Sequence, residues 1–277
     1  MSEPDLDALA ARAKEGDRVA LEALVTGVQS SVFRLAVRFL HDREHARDAT
    51  QEILVLVLTK LSTFRGESTV ETWVYRIAVR HLMRARSRIR ALSFATLVEE
   101  DLGQPPSEIA PEITAGAEER LLEEEVFLGC TQAMLQALDR PARIAFVLGA
   151  LCELDAASAA RALGISEPAF RKRLSRARAT LDAFLGAHCG VADARNPCRC
   201  LHQVPHNVRR GRLDPKALRY VPARPVRTSL ETLRAYGEID RVKRTLAIYQ
   251  AQPAIEPPEE LTQRIRALVA STRLFDA

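Results

Sequence analysis

Apolar side chains recur every three or four residues along most of this chain, and this spacing constrains the fold more than any other feature. It begins near the start, with Leu6, Leu9 and Ala13. Such a period places apolar side chains on one face of an α-helix, whereas a half-buried strand needs strict alternation. Residues 53–61 are apolar nearly all round, as expected of a central helix. Since good helix formers also dominate the composition, we predict an all-α fold.

The composition argues against several classes of protein. We find no unbroken run of about 18 apolar residues and no apolar segment behind a basic N-terminal leader, so we expect neither a membrane span nor a secretory signal. Five cysteines in 277 residues do not indicate a disulfide scaffold. A reducing compartment suits them best, and we therefore expect a cytoplasmic protein with no membrane insertion.

Charge is distributed in blocks that suggest how the chain is organised. Residues 1–92 and 126–185 each carry a net charge of +3, whereas residues 93–125 carry −9. Two basic blocks around an acidic connector suggest a polyanion held at two places. As a flexible coil the connector would span about 30 Å, close to the roughly 34 Å of one DNA turn.

Helical periodicity and turn residues predict the boundaries of the parts. The helical pattern is lost from Ser93 to Gly116, where prolines, glycines and acidic residues collect. We predict two small helical domains joined by a flexible acidic linker, followed by a helical C-terminal extension. The boundaries are a first domain at 1–92, a linker at 93–120, a second domain at 121–186 and the extension at 187–277.

Residues 154–181 have the pattern of a helix-turn-helix. Asp155 is a plausible N-cap for a short helix, Gly164 supplies the turn, and Ser166 can cap the second helix. The second helix has an apolar stripe and an opposite face that carries Arg171, Lys172, Arg173, Ser175, Arg176 and Arg178. Arginines there can bind guanine edges or phosphates in the major groove. A solvated basic face is the alternative, but the caps, the turn and the stripe together favour DNA binding.

A second basic helix is predicted from Thr69 to Arg90. Six arginines and no acidic residue lie between Arg76 and Arg90, and Trp73 precedes them. An aromatic ring among arginines suits stacking on unpaired bases combined with phosphate contacts. Alternatively, Trp73 belongs to the core and the arginines only increase solubility.

One further patch lies on the predicted central helix. Asp48, Gln51 and Glu52 share one helical face, opposite a wholly apolar side. The patch either docks on a partner protein or is the solvated side of the helix.

These segments together resemble the extracytoplasmic-function sigma factors of bacterial RNA polymerase. DATQE at 48–52 is similar to the helix with which that family binds the polymerase core. FRGES at 64–68 and TWVYRIA at 72–78 resemble the loop and helix that open and read the −10 promoter element. LGISEPAFRKRLSRARATL at 163–181 resembles the helix that reads the −35 element. The resemblance covers about residues 17–90 and 125–185, in the order found in the family.

The resemblance implies a sigma factor that binds the polymerase core, through its beta and beta-prime subunits, and directs it to promoters. The residues implied to bind the core are Asp48, Gln51 and Glu52. Those implied to bind −10 DNA are Arg65, Thr72, Trp73, Arg76, Arg80 and Arg84. Those implied to bind −35 DNA are Arg171, Lys172, Ser175, Arg176 and Arg178. No catalytic residue and no cofactor are expected, because the polymerase makes the phosphodiester bond, and an anti-sigma factor is a further candidate partner.

The segment from His188 to His206 is irregular and rich in cysteine and histidine. A zinc site of Cys189, Cys198, Cys200 and His202 would supply thiolate and imidazole ligands, although the C-x8-C-x-C spacing is not that of a standard zinc finger. The alternative is a redox-reactive group, since basic neighbours favour the thiolate form. The two other cysteines, Cys130 and Cys152, lie on apolar helix stripes and are expected in the core.

Two other functions remain open from the sequence. One is a helix-turn-helix repressor or activator that is not a polymerase subunit. Such a protein would need neither the patch at 48–52 nor the basic helix at 73–90, and it would usually bind palindromic DNA as a dimer. The other is an anti-sigma-like or scaffold protein that shares only the fold.

Overall fold

The computed structural model describes residues 5–84, 92–102, 117–221, 229–230, 233, 241–253 and 255–271. Within these ranges the chain is helical and has no β-strand, and its β-type pairing is an isolated bridge between Cys189 and Cys198. The predicted all-α class is therefore confirmed.

The helices are numbered in chain order. They are α1 (Leu6–Lys14), α2 (Arg18–Leu40), α3 (Arg43–Lys60), α4 (Val70–Arg84), α5 (Phe94–Leu97), α6 (Ala117–Ala137), α7 (Arg140–Phe146), α8 (Ala156–Leu163), α9 (Glu167–His188), α10 (Val204–Arg209), α11 (Arg241–Gln250) and α12 (Glu259–Ser271). Short 3-10 turns lie at Leu61–Thr63 and Leu201–Gln203, and π-helical turns at Val98–Leu102 and Val147–Leu151.

The chain forms two compact units, each of which combines distant segments. The first contains residues 1–88, 144–173 and 254–277, and the second contains residues 89–143 and 174–253. The predicted domains are continuous segments that end at residues 92, 120 and 186, whereas each compact unit combines separate segments of the chain. Those boundaries stay predictions about domains, and the end of the C-terminal extension belongs to the first unit.

The first unit is organised around α2, which packs against α1, α3 and α4. Asp17 begins α2 by accepting the Ala20 N–H at 3.0 Å, and His41 ends it in a left-handed conformation with φ of 60°. The side chains of Leu24 and Phe33 are fully buried. The predicted helix at 69–90 begins at Val70, and its last arginines, at 86, 88 and 90, lie outside the described residues.

α2 bears on the expectation that the chain has no membrane span. By length and composition it is apolar enough to cross a membrane, although we expected no such segment. Polar residues such as Gln29 and Ser30 interrupt its apolar residues, so that no unbroken run is visible in the sequence. Its most apolar stretch is 56% buried within the protein, and the core helix of a globular protein meets the same criterion.

Two later segments complete the first unit. α8 packs on α4, and the chain just before α8 contributes Cys152, which hydrogen-bonds Tyr75 of α4. Burial raises the pKa of the Cys152 thiol to about 11, and it also raises the pKa of the Tyr75 phenol. α12 packs on α2 and α3, and Gln29 Nε2 donates to Thr262 Oγ1 at 2.8 Å. The apolar stripe of α12, which includes Leu261 and Ile265, is buried.

In the second unit, part of the predicted linker is helical. Ser93 caps α5 by accepting the Thr96 N–H at 3.0 Å, and the Phe94 ring lies 4.9 Å from that of Phe184. The prediction of an irregular linker is wrong for residues 94–102, because a cap and an aromatic contact are enough to fix a short helix there. Residues 103–116 of the linker lie outside the described part of the chain.

Two adjacent buried carboxylates on α6 anchor the C-terminal extension within the second unit. Glu125 accepts the backbone N–H groups of residues 219–221 at 2.7–3.2 Å. Glu124 accepts those of residues 229 and 230 at 2.8 and 3.1 Å. Hydrogen bonds to a carboxylate are stronger than neutral ones, so these glutamates fix the path of the extension over α6. From the sequence they counted only as part of the acidic connector.

Candidate nucleic-acid interface

The loop at residues 64–69 is held by α1, far away in sequence. Asp7 Oδ1 accepts the Val70 N–H at 2.6 Å and so caps α4, while Lys14 Nζ donates to the Phe64 carbonyl at 2.7 Å. Gly66 has φ of 74°, a conformation that a residue with a side chain rarely adopts. The loop and α1 together line a cavity of about 470 Å³, with Arg65 among its lining residues.

A larger groove, of about 770 Å³, runs along α4. One side carries basic residues of α4 and the other side comes from α3. Its lining residues are Glu52, Leu56, Lys60, Thr63, Trp73, Arg76, Ile77, Arg80, His81 and Arg84. Trp73 is half-buried and its ring lies 5.4 Å from that of Phe64, tilted by 49°. The groove therefore offers an aromatic surface next to three exposed arginines.

Most of the residues predicted to bind −10 DNA meet in this groove. Trp73 shares it with Arg76, Arg80 and Arg84, so the indole is neither buried in the core nor fully solvated. Thr72 differs from the prediction. Its side chain is buried and lies 2.9 Å from Thr69 Oγ1, because it closes the first turn of α4.

Two groove residues were missed from the sequence. The apolar spacing of Val74, Ile77, Ala78 and Leu82 predicts a buried stripe that includes His81. His81 is instead half-exposed, and its Nε2 lies 3.4 Å from Glu52 Oε2. Lys60 comes from the end of α3. The available signal for His81 was its helical spacing from Trp73 and Ile77, since residues 73, 77, 81 and 84 share one face.

The three residues of the patch at 48–52 have different surroundings in the structure. Asp48 is exposed and Gln51 is half-exposed on α3. Glu52 is also exposed, but it lines the groove and pairs with His81. Within the described residues, the patch therefore adjoins the α4 groove.

The helix-turn-helix is formed as the sequence predicted. Asp155 Oδ1 accepts the N–H groups of Ala157 and Ser158 at 3.0 and 2.9 Å. A hydrogen bond from the Ser158 hydroxyl, together with these backbone bonds, lowers the pKa of the Asp155 carboxyl. Gly164 ends α8 in the left-handed region with φ of 67°. Ser166 accepts the Ala169 N–H at 3.4 Å at the start of α9.

The basic face of α9 is exposed over most of its length. The exposed members of the predicted −35 set are Arg171, Lys172, Ser175 and Arg176. Arg171 forms an ion pair with Glu167 one turn earlier. Arg178 is half-buried, so it is less available than the other basic residues. Phe170, Ala177 and Leu181, on the predicted apolar stripe, are buried.

The cysteine segment after α9 is ordered by backbone pairing. Cys189 and Cys198 form the isolated bridge, and Cys200 is the N-cap residue of the 3-10 turn at Leu201–Gln203. Burial raises the pKa of the Cys200 thiol, and the nearby thiols of Cys189, Cys130 and Cys198 raise it further. Cys130 therefore lies near this group, and the prediction that it is a core residue is wrong, because its position on α6 is exposed.

The predicted metal site is not preassembled. Among the described residues, no three His, Cys, Asp or Glu side chains are grouped so as to hold a metal ion. His202 is exposed. The zinc site at Cys189, Cys198, Cys200 and His202 thus stays a prediction from the sequence alone.

Comparisons with known proteins match the two helical segments in the same order. The Sigma-70 region 2 family matches residues 24–91, and the Sigma-70 region 4 family matches residues 128–181. The RNA polymerase sigma-H factor of Pseudomonas aeruginosa is 30% identical over 181 residues, which are 64% of this chain and 92% of that protein. The probable RNA polymerase sigma-C factor of Mycobacterium bovis is 31% identical over 178 residues, 63% of this chain and 88% of that protein.

A solved structure that is similar to this chain can also be described. It contains CnrH in complex with the cytosolic domain of CnrY, with 24% identity and a TM-score of 0.49 over 66% of this chain and 98% of the matched chain. Residues 182–277 lie beyond both matched family regions.

Proposed function

Because this chain belongs to the extracytoplasmic-function sigma factors, which bind RNA polymerase and direct it to promoters, we propose how its own residues divide that work. The α4 groove binds the unpaired −10 strand, and the exposed face of α9 binds the −35 duplex. The groove is the observation that carries this proposal, because it combines Trp73 with three exposed arginines in one surface.

The chemistry of the groove suits single-stranded DNA better than duplex. A base stacked on an aromatic side chain contributes about 1–3 kcal/mol, and this requires an unpaired base. Arg76, Arg80 and Arg84 would bind the phosphates that follow. The neighbouring cavity beside Arg65 is large enough, at about 470 Å³, to receive an extruded base, which costs a few kcal/mol to remove from the stack.

The α9 face suits duplex DNA. Arg171, Lys172 and Arg176 are exposed near the start of the helix, where a recognition helix meets the major groove. Ser175 adds a hydroxyl that can bind a base edge or a phosphate. The Glu167 carboxylate holds Arg171 in the free protein, and DNA would have to compete with it.

The patch at 48–52 is proposed as the contact with the polymerase core. Asp48 and Gln51 point away from the buried side of α3 and are accessible. Contact with the beta and beta-prime subunits specifically, and with an anti-sigma factor, stays a prediction from the family resemblance. Sigma factors are non-enzymatic subunits, and we propose that this chain likewise supplies no catalytic group and acts in the cytoplasm.

The C-terminal extension is proposed to be an integral part of the folded protein. Its residues 219–221 and 229–230 are bound to the buried Glu125 and Glu124, and α12 packs on α2. Zinc binding by its cysteine segment stays a prediction, and the proposed promoter function does not require it.

Run-off transcription with purified polymerase core tests the proposal. We expect specific initiation from a linear promoter that is recovered by selecting DNA bound to the reconstituted holoenzyme. Core alone is the negative control. A helix-turn-helix repressor or activator would bind duplex DNA without supporting initiation, and an anti-sigma-like or scaffold protein would support neither.

The division of labour is tested with two variants in the same assay. The triple change Arg76→Ala, Arg80→Ala and Arg84→Ala should abolish promoter opening, as detected by permanganate reactivity of unpaired thymines, while −35 duplex binding is retained. Arg264→Ala is the matched control, because this exposed arginine of α12 lines neither cavity. An equal loss of promoter opening in the triple variant and in Arg264→Ala would contradict the assignment of the groove.

A further inference from the structure

The loop that follows α9 brings two cysteines into direct backbone register. Cys189 comes immediately after the last residue of α9, and it forms a parallel bridge with Cys198. Bridged residues on neighbouring strands lie about 4.8 Å apart, the usual spacing of paired strands. A disulfide requires Cα atoms roughly 4.4–6.8 Å apart, and the usual spacing of a bridged pair falls within this range.

Gly190 permits this close approach. A Cβ atom at position 190 would lie 2.1 Å from the Cys198 carbonyl oxygen and 2.1 Å from Arg199 Nη1. The first of these neighbours is backbone and cannot move aside cheaply. Any other residue at 190 would therefore push the two cysteines out of register.

Two side chains hold the loop in this shape. Asn196 Nδ2 donates to the carbonyls of Gly186 and Cys189 at 3.0 and 3.1 Å, which ties the loop to the end of α9. The Arg199 guanidinium donates to the carbonyls of Ala194 and Cys198, both at 2.9 Å. These hydrogen bonds fix the loop that contains Cys189 and Cys198. Both residues are free thiols that are partly accessible to solvent.

We propose that Cys189 and Cys198 are a dithiol site that closes into a disulfide when the protein meets a peroxide. Hydrogen peroxide oxidises one thiol to a sulfenic acid and releases one water molecule. The second thiol attacks that sulfur, the S–S bond forms, and the hydroxyl leaves with the thiol proton as a second water molecule. Two thiols and one peroxide thus give one disulfide and two waters, and a dithiol reductant reverses the reaction.

The position of the site predicts what the bond does. It closes a ten-residue loop directly behind α9, whose last turn is joined to Cys189 by the Leu185 carbonyl at 2.9 Å. Closing such a loop restricts the unfolded chain and should raise the melting temperature of the full-length protein by several degrees. The exposed basic residues of α9 lie more than two turns earlier, so duplex binding should change little.

The neighbouring thiols provide a demanding test of the pairing. Cys200 is close enough to Cys189, Cys130 and Cys198 for their charges to affect its pKa, so it could compete for either partner. Only Cys189 and Cys198 are in backbone register, and we expect them to pair with each other. Trypsin separates the candidates, because residues 179–195, 196–199 and 200–209 are distinct peptides.

The experiment uses the full-length protein, reduced, desalted and treated with hydrogen peroxide. Remaining thiols are alkylated, and the non-reduced tryptic peptides are identified by mass spectrometry. We expect peptides 179–195 and 196–199 to be joined and to separate after reduction. Cys152→Ser should leave this link unchanged, and Cys198→Ser should remove it.

Gly190→Ala is the decisive variant, because it keeps every thiol and changes only the register. We expect its yield of the 189–198 link to fall at least tenfold, with circular dichroism confirming that the helices remain. An unchanged yield in Gly190→Ala, or a dominant link through Cys200 or Cys130, would overturn the proposal. So would protein purified with one zinc ion per chain whose thiols resist peroxide until the zinc is chelated, since that result would assign the thiols to a metal.

Discussion

The two DNA-facing elements, α4 and α9, are supported in different ways. The groove along α4 depends on contacts between residues far apart in sequence, such as Asp7 with Val70 and Lys14 with Phe64. The start of the helix-turn-helix depends on neighbours, because Asp155 bonds residues two and three positions later. The −10 groove is therefore a product of the whole first unit, whereas the turn before α9 is fixed locally.

This difference predicts different responses to damage. A change in α1, or at Cys152 and Tyr75, should alter the groove without touching a DNA-binding residue. The start of α9 should respond mainly to changes within the helix-turn-helix itself. Trp73 provides a direct probe, because it is the only tryptophan in the chain and lies in the groove.

Among single substitutions, Trp73→Ala should have the largest effect. Loss of one stacking surface removes about 1–3 kcal/mol, so we expect promoter opening to fall by about tenfold to a hundredfold. Permanganate footprinting of the holoenzyme measures this opening. Binding to a −35 duplex should be unchanged, and Trp73→Phe should retain most of the opening. Equal opening by wild type and Trp73→Ala would show that the ring does not stack on DNA.

The second largest effect should be a loss of stability of the first unit at alkaline pH. Burial raises the pKa of Cys152 to about 11, above the usual value of about 9 for a thiol. The stability that the protonated Cys152 thiol contributes is fully present below pH about 9. It is lost as the pH rises through 11, because the thiol of the unfolded chain releases its proton at a lower pH than that of the folded protein. The buried phenol of Tyr75 shifts in the same direction. We expect a loss on the order of 2 kcal/mol between pH 8 and 11.

Urea unfolding followed by Trp73 fluorescence measures this loss. Cys152→Ala should reduce the pH dependence above pH 9, whereas Cys130→Ala, at an exposed position of α6, should not. If Cys152→Ala and wild type lose stability in parallel, the buried thiol is not the group responsible.

A smaller effect comes from the two capping aspartates, and it tests the comparison most directly. Asp7→Ala removes the carboxylate that caps α4 and should cost about 1 kcal/mol of stability. Its Trp73 fluorescence should shift, and promoter opening should decrease. Asp155→Ala should instead weaken −35 duplex binding, with a smaller shift in Trp73 emission than Asp7→Ala, because its bonds are within α8 and reach α4 only through the packing of α8 on that helix. Equal shifts in the two variants would mean that the two elements are not independently supported.

The same distinction explains what could be predicted from the sequence. Asp155, Gly164 and Ser166 act within four residues, so their pattern was sufficient to place the turn and both caps. The Asp7 cap spans 63 residues and the Glu125 bonds span 94 or more, and no local pattern reports such pairs.

The errors at single residues have the same origin. His81 and Cys130 both follow apolar periodicity, and they were therefore predicted to be buried. His81 is half-exposed and faces Glu52 of α3, and Cys130 is exposed on α6 near the Cys200 thiol. Periodicity identifies the face of a helix that packs, but it does not identify which neighbour that face meets.

Single substitutions of the basic residues of α9 should have the smallest effects. They are best measured as changes in the salt dependence of DNA binding. Each phosphate contact contributes close to one unit to the slope of log affinity against log salt concentration. Lys172→Ala and Arg176→Ala should each lower the slope for a −35 duplex by about one. Arg178→Ala should change it less, because that side chain is half-buried. Glu167→Gln should strengthen binding slightly, since it releases Arg171 from its ion pair. Fluorescence anisotropy over a salt series measures all four, and equal slopes throughout would place this face in solvent.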